Sequence, residues 1–162
     1  MGDVTHTAIF KAVAVTVQQD FFEVKSSAAA STVIHGWALT QSNKAGDANE
    51  ADLQLTTNRG FGTVTSGSGG STVTSTVRVR GTPAFGGTIE ANNTTKIAVG
   101  TGTLTTDLET YAWNIRVPMI FWYTPETRPV ILPGEYWTLE LETTPGSSTT
   151  ISGTIFLEQV GT

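Results

Sequence analysis

The sequence predicts an all-β protein that folds as an antiparallel sandwich of two sheets, with about eight strands. Two observations carry this prediction. Apolar residues recur at every second position in seven separate segments, which is the period of a strand with one buried face. Glycine, proline and asparagine clusters separate these segments, and helical periodicity is absent over almost the whole chain.

The alternating segments share one feature, an apolar face opposite a polar one. Their predicted core-facing positions are, in chain order, Val13, Val15 and Val17; Val33, His35, Trp37 and Leu39; Leu53 and Leu55; Val73, Ser75, Val77 and Val79; Tyr111, Trp113, Ile115 and Val117; Trp137, Leu139 and Leu141; and Ile151, Gly153, Ile155 and Leu157. Such alternation is typical of antiparallel sheets with one face on the core and the other in water. Pro133 and Gly134 predict a tight turn between residues 130–132 and a strand that starts near Glu135.

A chain of 162 residues without cysteine has the length of one domain. At this size a sandwich buries enough apolar surface to fold without disulfides. We therefore expect a single domain over residues 1–162. Residues 1–7, which include His6, are expected to form an extended N-terminal arm. The glycine- and serine-rich residues 66–71 are expected to form a flexible loop.

The composition predicts neither a nucleic acid nor a membrane as a partner. The formal net charge is −5 and the densest basic cluster is only Arg78 with Arg80, whereas nucleic-acid binders present a basic patch. The longest apolar stretch, Val117–Tyr123, has seven residues, far short of the roughly 20 that span a bilayer. The first residues also lack the basic start and apolar stretch of a signal peptide.

Histidine and nucleophile chemistry finds little support in the sequence. His35 shares its predicted strand face with Trp37 and Leu39, which favours a hydrogen-bonded structural histidine over a catalytic base. His6 lies on the predicted arm, with nothing that places it beside His35. Serine–glycine and glycine-rich stretches occur, but not in the strand–turn–helix setting that a nucleophile turn or a phosphate loop needs.

Acidic residues form two groups of interest. An acidic loop spans residues 47–52, but it lacks the glycine and the final glutamate of an EF-hand and is interpreted as solvated. Glu140 and Glu142 share one strand face, as a glycosidase pair would, although two outward carboxylates opposite Leu139 and Leu141 usually serve solvation. The sequence therefore predicts no catalytic residue, no metal ligand and no cofactor.

The consecutive residues Met119–Tyr123 carry the most information about function. All are apolar or aromatic, so both faces of a strand there are apolar, and only one face can belong to the core. Three interpretations stay open for the second face: coverage by the protein itself, a contact between subunits, or a stacking platform for sugar rings. A charged fraction of only 14% favours a protein that packs against other copies, because lysine and glutamate are depleted in interfaces.

Three pieces of the C-terminal half carry a family resemblance. They are Trp113-Asn114-Ile115-Arg116, then Tyr123-Thr124-Pro125-Glu126-Thr127-Arg128-Pro129, then Ser152-Gly153-Thr154-Ile155-Phe156-Leu157-Glu158-Gln159-Val160-Gly161. Over about residues 50–162 the chain resembles small structural proteins of tailed bacteriophages, of the jelly-roll kind that forms trimers on the capsid or at fibres. The resemblance implies a jelly-roll sandwich and brings no catalytic residues with it.

The same resemblance implies a role and a location. The chain is expected to decorate or cement the capsid as a homotrimer, in contact with the major capsid protein or other virion proteins. It is expected to be made in the host cytoplasm and to reside on the virion surface. The candidate interface residues are Phe121, Trp122, Tyr123, Arg128 and Tyr136.

Two alternatives belong to other functional classes. A carbohydrate-binding or receptor-binding module at a fibre or tail tip would use stacking surfaces, for which the candidates are Trp122, Tyr123, Tyr136 and Trp137. A hydrolase would have to combine Glu140 and Glu142 with His35.

Overall fold

The computed structural model describes residues 4–42, 52–99 and 103–161, and within them the prediction of an all-β protein with two antiparallel sheets is confirmed. The strands are β1 (His6–Val15), β2 (Gln19–Lys25), β3 (Ser31–Gln41), β4 (Asp52–Phe61), β5 (Val64–Thr65), β6 (Ser71–Thr72), β7 (Thr76–Val77), β8 (Thr88–Asn93), β9 (Ala98–Val99), β10 (Thr103–Asn114), β11 (Met119–Trp122), β12 (Val130–Ile131), β13 (Tyr136–Leu141) and β14 (Thr149–Val160).

The strands form two large sheets and one small ribbon. Sheet A has the order β11-β3-β14-β1-β7, with β12 also paired to β3, and sheet B has the order β10-β4-β13-β2-β8-β6. Strands β5 and β9 pair with each other alone. Each large sheet therefore has six strands, so the expectation of about eight in total is too low. The additional short strands lie mostly in residues 62–99, where runs of glycine and serine hide any alternation.

Eight of the strands pair in a nested order. The antiparallel pairs β1–β14, β2–β13, β3–β11 and β4–β10 enclose one another along the chain, and they alternate between the two sheets. Residues 62–99, which we call the insertion, lie between β4 and β10 and contain the five strands from β5 to β9. The insertion places β7 beside β1 and β8 beside β2, so it extends both sheets on the same side.

A β-bulge in β3 reverses which residues face the core. Gly36 pairs with Phe156 and Ile34 pairs with Leu157, so His35 is the extra residue between two consecutive partners. One inserted residue moves all later side chains to the opposite face, because the strand period is two. Ile34 is consequently buried and Val33 faces outward, which corrects the prediction that Val33 shares a face with Trp37.

A second bulge lies in β1, where Phe10 pairs with Gly153 and Val13 pairs with Ile151. Ala12 has a φ of 53°, a conformation that lets the strand take up the extra residue. Phe10 and Val15 both reach the core as a result. A Cβ on Gly153 would lie 2.4 Å from the Phe10 ring, so glycine leaves the space that this ring fills.

The core lies between the two sheets. Its largest fully buried side chains are Phe21, Phe22, Ile34, Trp37, Leu39, Leu53, Leu55, Ile89, Ile131, Trp137, Leu139 and Leu141. Four predicted core positions are instead exposed, namely Val17, Val77, Val79 and Val117. Val17, Val79 and Val117 lie in turns or irregular segments, and Val77 lies in a strand of two residues, so the alternation there does not continue into a paired sheet.

The expected N-terminal arm is wrong for its last residues. His6 and Thr7 belong to β1 and pair with Leu157 and Phe156 of β14, and the His6 ring is buried with Nε2 3.0 Å from the Pro83 carbonyl oxygen. The strand therefore begins earlier than the apolar alternation indicated. The first three residues of the expected arm lie outside the described residues.

The glycine- and serine-rich residues 66–71 are not a free loop. The Gly67 N–H donates to the Glu23 carboxylate over 2.8 Å, Ser68 forms a bridge with Thr95, and Ser71 belongs to β6. A Cβ on Gly70 would lie 2.2 Å from the Ala91 carbonyl oxygen, so the segment runs directly against strand β8. The small residues allow this close packing, whereas the expected flexibility of the segment stays a prediction.

Gly36 offers a test of this packing. A Cβ there would lie 2.3 Å from the Phe121 carbonyl oxygen, so Gly36→Ala must push β11 away from β3. We expect a loss of roughly 1–3 kcal/mol of unfolding free energy in urea titrations. Gly86→Ala is the matched control, with its nearest neighbours at 3.4 Å, and should change stability by less than about 0.5 kcal/mol. Equal stability of the two variants would contradict the close strand contact.

Candidate functional site

The outer face of sheet A carries an uncharged and mostly apolar surface. Side chains opposite each other in antiparallel strands share a face, so the strand registers order this surface into rows. One row runs Trp122, Gly36, Phe156, Thr7 across β11, β3, β14 and β1, and the next runs Ile120, Ala38, Thr154, Ile9. Neither row contains a charged residue. We call this surface, with Val130 at its β12 end, the Trp122 face.

Trp122 is the centre of this surface. Its ring stacks on the Phe156 ring with centroids 4.5 Å apart and an angle of 29° between the planes. Gly36 separates the two strands and has no side chain to intervene, and the nearest Trp122 ring atom would lie 3.0 Å from a Cβ there. The indole therefore lies along the sheet, yet 53% of its surface stays accessible.

The exposure of this surface is unusual for apolar side chains. Ile120 is 63% exposed and Ile9 is 57% exposed, and both lie in the same row of the Trp122 face. Single exposed apolar residues are common on soluble proteins, whereas a contiguous group of this kind usually marks a contact with another molecule. The Arg78 guanidinium lies over the Phe156 ring, 6.0 Å from its centre.

Two of the predicted interface residues, Phe121 and Tyr123, point the other way. Phe121 faces the core side, with its ring 5.6 Å from Trp37 and 4.8 Å from Tyr111. Tyr123 is only 4% exposed and its hydroxyl donates to the Glu109 carboxylate over 2.6 Å. Burial, and then the neighbouring Glu109, raise the pKa of Tyr123 far above its usual value. The expectation that these two rings form an outward contact is therefore corrected.

The other two predicted interface residues are also covered. Tyr136 is 7% exposed and packs with Val64 and Ile97 of the insertion in a small second cluster. The Lys25 ammonium lies 5.2 Å from the centre of the Tyr136 ring. Arg128 is half-buried between β11 and β12. Trp122 is thus the only one of the five predicted interface residues that presents most of its side chain to solvent.

Sequence reasoning missed most of the Trp122 face. Phe156 lies on the predicted polar face of its strand, and Ile9 lies between the predicted arm at residues 1–7 and the first alternating segment, which begins near Val13. The available signal was a large apolar residue on a predicted solvent face, flanked by Thr154 and Glu158. Only the register of β14 with β1 and β3 brings Phe156 and Ile9 beside Trp122 and Ile120.

The outer face of sheet B is acidic and covered by the insertion. Glu140, interpreted from sequence as a solvated outward carboxylate, is buried and accepts a hydrogen bond of 2.6 Å from the Asn58 side chain. The Lys96 ammonium of the insertion forms an ion pair with Glu140 and lies 3.4 Å from Glu142. These two glutamates therefore hold the insertion on the sheet.

Asp20 is the most perturbed acid of this group. Its Oδ2 accepts the Ile97 N–H over 2.8 Å, whereas its Oδ1 is buried with no hydrogen-bond partner among the described residues. Burial raises the pKa of Asp20 to about 7, and Glu23 and Glu142 also raise it, against the opposing effects of the Ile97 hydrogen bond and of Lys96. Asp20 is consequently a second anchor of the insertion, and one that titrates near neutral pH.

The structure does not bring the proposed hydrolase residues together. His35 belongs to sheet A, where its Nε2 lies 2.9 Å from the Glu158 carboxylate, whereas Glu140 and Glu142 lie at the outer face of sheet B. Most of the acidic loop at 47–52 lies outside the described residues, and only Asp52 is seen, at the start of β4. Within residues 4–42, 52–99 and 103–161, no three histidine or acidic side chains converge as a metal ion would require.

Comparisons of the chain with protein-family models, with curated protein sequences and with solved structures find no significant match. The part of the chain that the structure describes contains no helix long and apolar enough to cross a membrane. The fold and the surface therefore define a class by their own features: an antiparallel two-sheet protein with one covered acidic outer face and one bare apolar outer face.

Asp20 gives a prediction on the pH dependence of stability. Its pKa is about 7 in the folded chain and near 3.8 in the unfolded chain, so its stabilising contribution is complete below about pH 4 and is lost as the pH rises through 7. Asp20→Asn cannot ionise and keeps an acceptor for the Ile97 N–H. We expect this variant to exceed the wild-type protein in unfolding free energy at pH 8, by roughly 1–4 kcal/mol.

The measurement is urea unfolding at pH 4, 6 and 8. The advantage of Asp20→Asn should shrink steadily toward pH 4. Asp52→Asn, which removes an exposed carboxylate at the start of β4, is the control and should follow the wild-type profile. An advantage of Asp20→Asn that is the same at all three pH values would show that ionisation of Asp20 is not its cause.

Proposed function

We propose that this chain is a non-enzymatic structural protein of a tailed-bacteriophage particle, which decorates or cements the capsid as a homotrimer. The observation that carries the proposal is the Trp122 face, an apolar sheet surface with no covering segment of its own among the described residues. The resemblance of the C-terminal half to trimer-forming phage proteins supports the same role. The proposed location is the virion surface, with the major capsid protein as partner.

We also propose that the sandwich is a jelly roll. In a jelly roll a long antiparallel ribbon wraps around the core, so that first and last strands pair, then second and seventh, third and sixth, fourth and fifth. The nested pairs β1–β14, β2–β13, β3–β11 and β4–β10 follow this order, which supports the proposal. Jelly rolls are frequent among viral capsid domains, which agrees with the proposed role but also with a lectin.

The state of the polar residues supports a role in assembly over a role in catalysis. Glu140 and Glu142 are occupied by Lys96, Asp20 binds the backbone of the insertion, and His35 pairs with Glu158. Each of these groups therefore has a structural task. A closed ring of three needs head-to-tail contacts, so each copy of a homotrimer would meet its two neighbours through two different surfaces.

A carbohydrate-binding or receptor-binding module at a fibre or tail tip is the second candidate. The half-exposed Trp122 ring favours it, since one face of the indole is open to a sugar ring. The burial of Tyr123, Tyr136 and Trp137 weighs against it, because three of the four expected stacking residues do not reach the surface. We therefore place assembly first.

The proposal predicts two results. Light scattering should give a mass three times the 17.1 kDa of one chain. The purified protein should also co-sediment with capsids assembled from the major capsid protein of the same phage, at a saturating ratio set by the lattice. The control is bovine serum albumin at the same concentration. A strict monomer that does not sediment with these capsids would overturn the proposal.

A further inference from the structure

We infer that the Trp122 face is the surface against which a second copy of this chain packs. The inference rests on the self-association in the proposed function, and it adds the location of the contact and the side chains that form it. Its argument uses the distribution of charge, the rigidity of the central aromatic pair and the size of the surface.

Charge is distributed unequally over the two sides of the sandwich. The chain has a formal net charge of −5, so two copies repel each other unless their carboxylates stay apart. Sheet B carries Asp20, Glu23, Glu90, Glu140 and Glu142 at its outer face, under or beside the insertion. Two rows of the Trp122 face carry no charge at all, so this is where two copies can approach closely without like-charge repulsion.

Charged groups border the Trp122 face, among them the exposed Lys11, which lies two residues after Ile9 on β1. Glu158, the outward residue after Phe156 on β14, is paired with His35. Arg78 lies over the Phe156 ring. A strongly basic or acidic partner would find no charge to recognise within the two rows themselves, whereas an uncharged surface of a second copy matches them.

The aromatic centre of the face is held in place before any contact forms. Trp122 is fixed between the Gly36 backbone and the Phe156 ring, so little side-chain freedom remains to be lost on association. Aromatic residues that are fixed in this way at the middle of a surface are typical of the few residues that dominate binding.

The size of the face indicates a weak individual contact. The face extends across four strands spaced about 4.8 Å apart and along about six residues of each strand, at roughly 3.3 Å per residue. Its area is therefore on the order of 400 Å². Stable complexes bury about 800 Å² per partner, so contact through this face alone falls at the low end of interface sizes. Durable attachment then comes from several such contacts acting together, as in a trimer bound to a repeating lattice.

The test uses a matched pair of charge substitutions. Ile9→Lys places an ammonium at the end of the Ile120–Ala38–Thr154–Ile9 row, and Val117→Lys places one at an equally exposed site in a turn outside the face. Both positions are more than half exposed, so both variants should fold, as circular dichroism will show. Sedimentation velocity should give at least tenfold weaker self-association for Ile9→Lys and no change for Val117→Lys.

Tryptophan fluorescence supplies a second readout at the face itself. Of the four tryptophans, Trp37, Trp113 and Trp137 are buried, so iodide can reach only Trp122. Iodide quenching should fall as the protein concentration rises through the range in which the oligomer forms. In Ile9→Lys the quenching should stay high over the same range.

The outcomes separate the two proposals. An oligomer that persists in Ile9→Lys, with Trp122 still open to iodide, overturns the inference and leaves the proposed function standing. A protein that stays monomeric and does not bind capsids overturns both. A monomer whose Trp122 is protected by a glycan from an array, and not by added protein, overturns the inference in favour of the carbohydrate-binding alternative.

Discussion

The packing of the two inner sheet faces against each other is the constraint on which the rest of the structure depends. Trp37 of sheet A and Trp137 of sheet B are both fully buried in this layer, and the consecutive Phe21 and Phe22 of β2 belong to the same core cluster. Because the largest apolar side chains lie in this one layer between the sheets, the outer face of each sheet must be covered or solvated by other means. The two outer faces differ in this respect: the insertion covers the acidic face of sheet B, and the Trp122 face of sheet A stays exposed.

The β-bulges determine which side chains of a strand pack into this layer between the sheets. In β3 and in β1 a single extra residue reverses which side chains face the core. Apolar residues at both odd and even positions of one strand can therefore be buried. The bulge at His35 places Ile34 and Trp37 on the same side although their separation is odd. It also leaves His35 where its ring meets Glu158, so the histidine is held by the irregularity that it creates.

The alternation of residues predicted the fold class and most of the long strands, because Leu53 and Leu55, Trp137 to Leu141 and Ile151 to Leu157 lie in unbroken paired strands. It failed where backbone conformation decides, as at Ala12 with its positive φ, since no residue type marks a bulge. Of the candidate site it found Trp122, which lies in a conspicuous aromatic run. It missed Ile9 and Phe156, because only pairing between distant strands places them beside that run.

The treatment of the two outer faces links stability to function. The insertion covers sheet B through Lys96, Ile97 and the Glu23 contacts, which bury carboxylates, and this burial raises the pKa of Asp20 to about 7. The same insertion gives sheet A only the two-residue strand β7, at its far edge, so the Trp122 face remains uncovered. Covering this face as well would have removed exposed apolar surface at little cost in hydrogen bonds. Its exposure is therefore the feature of the fold that a contact with another molecule explains and folding alone does not.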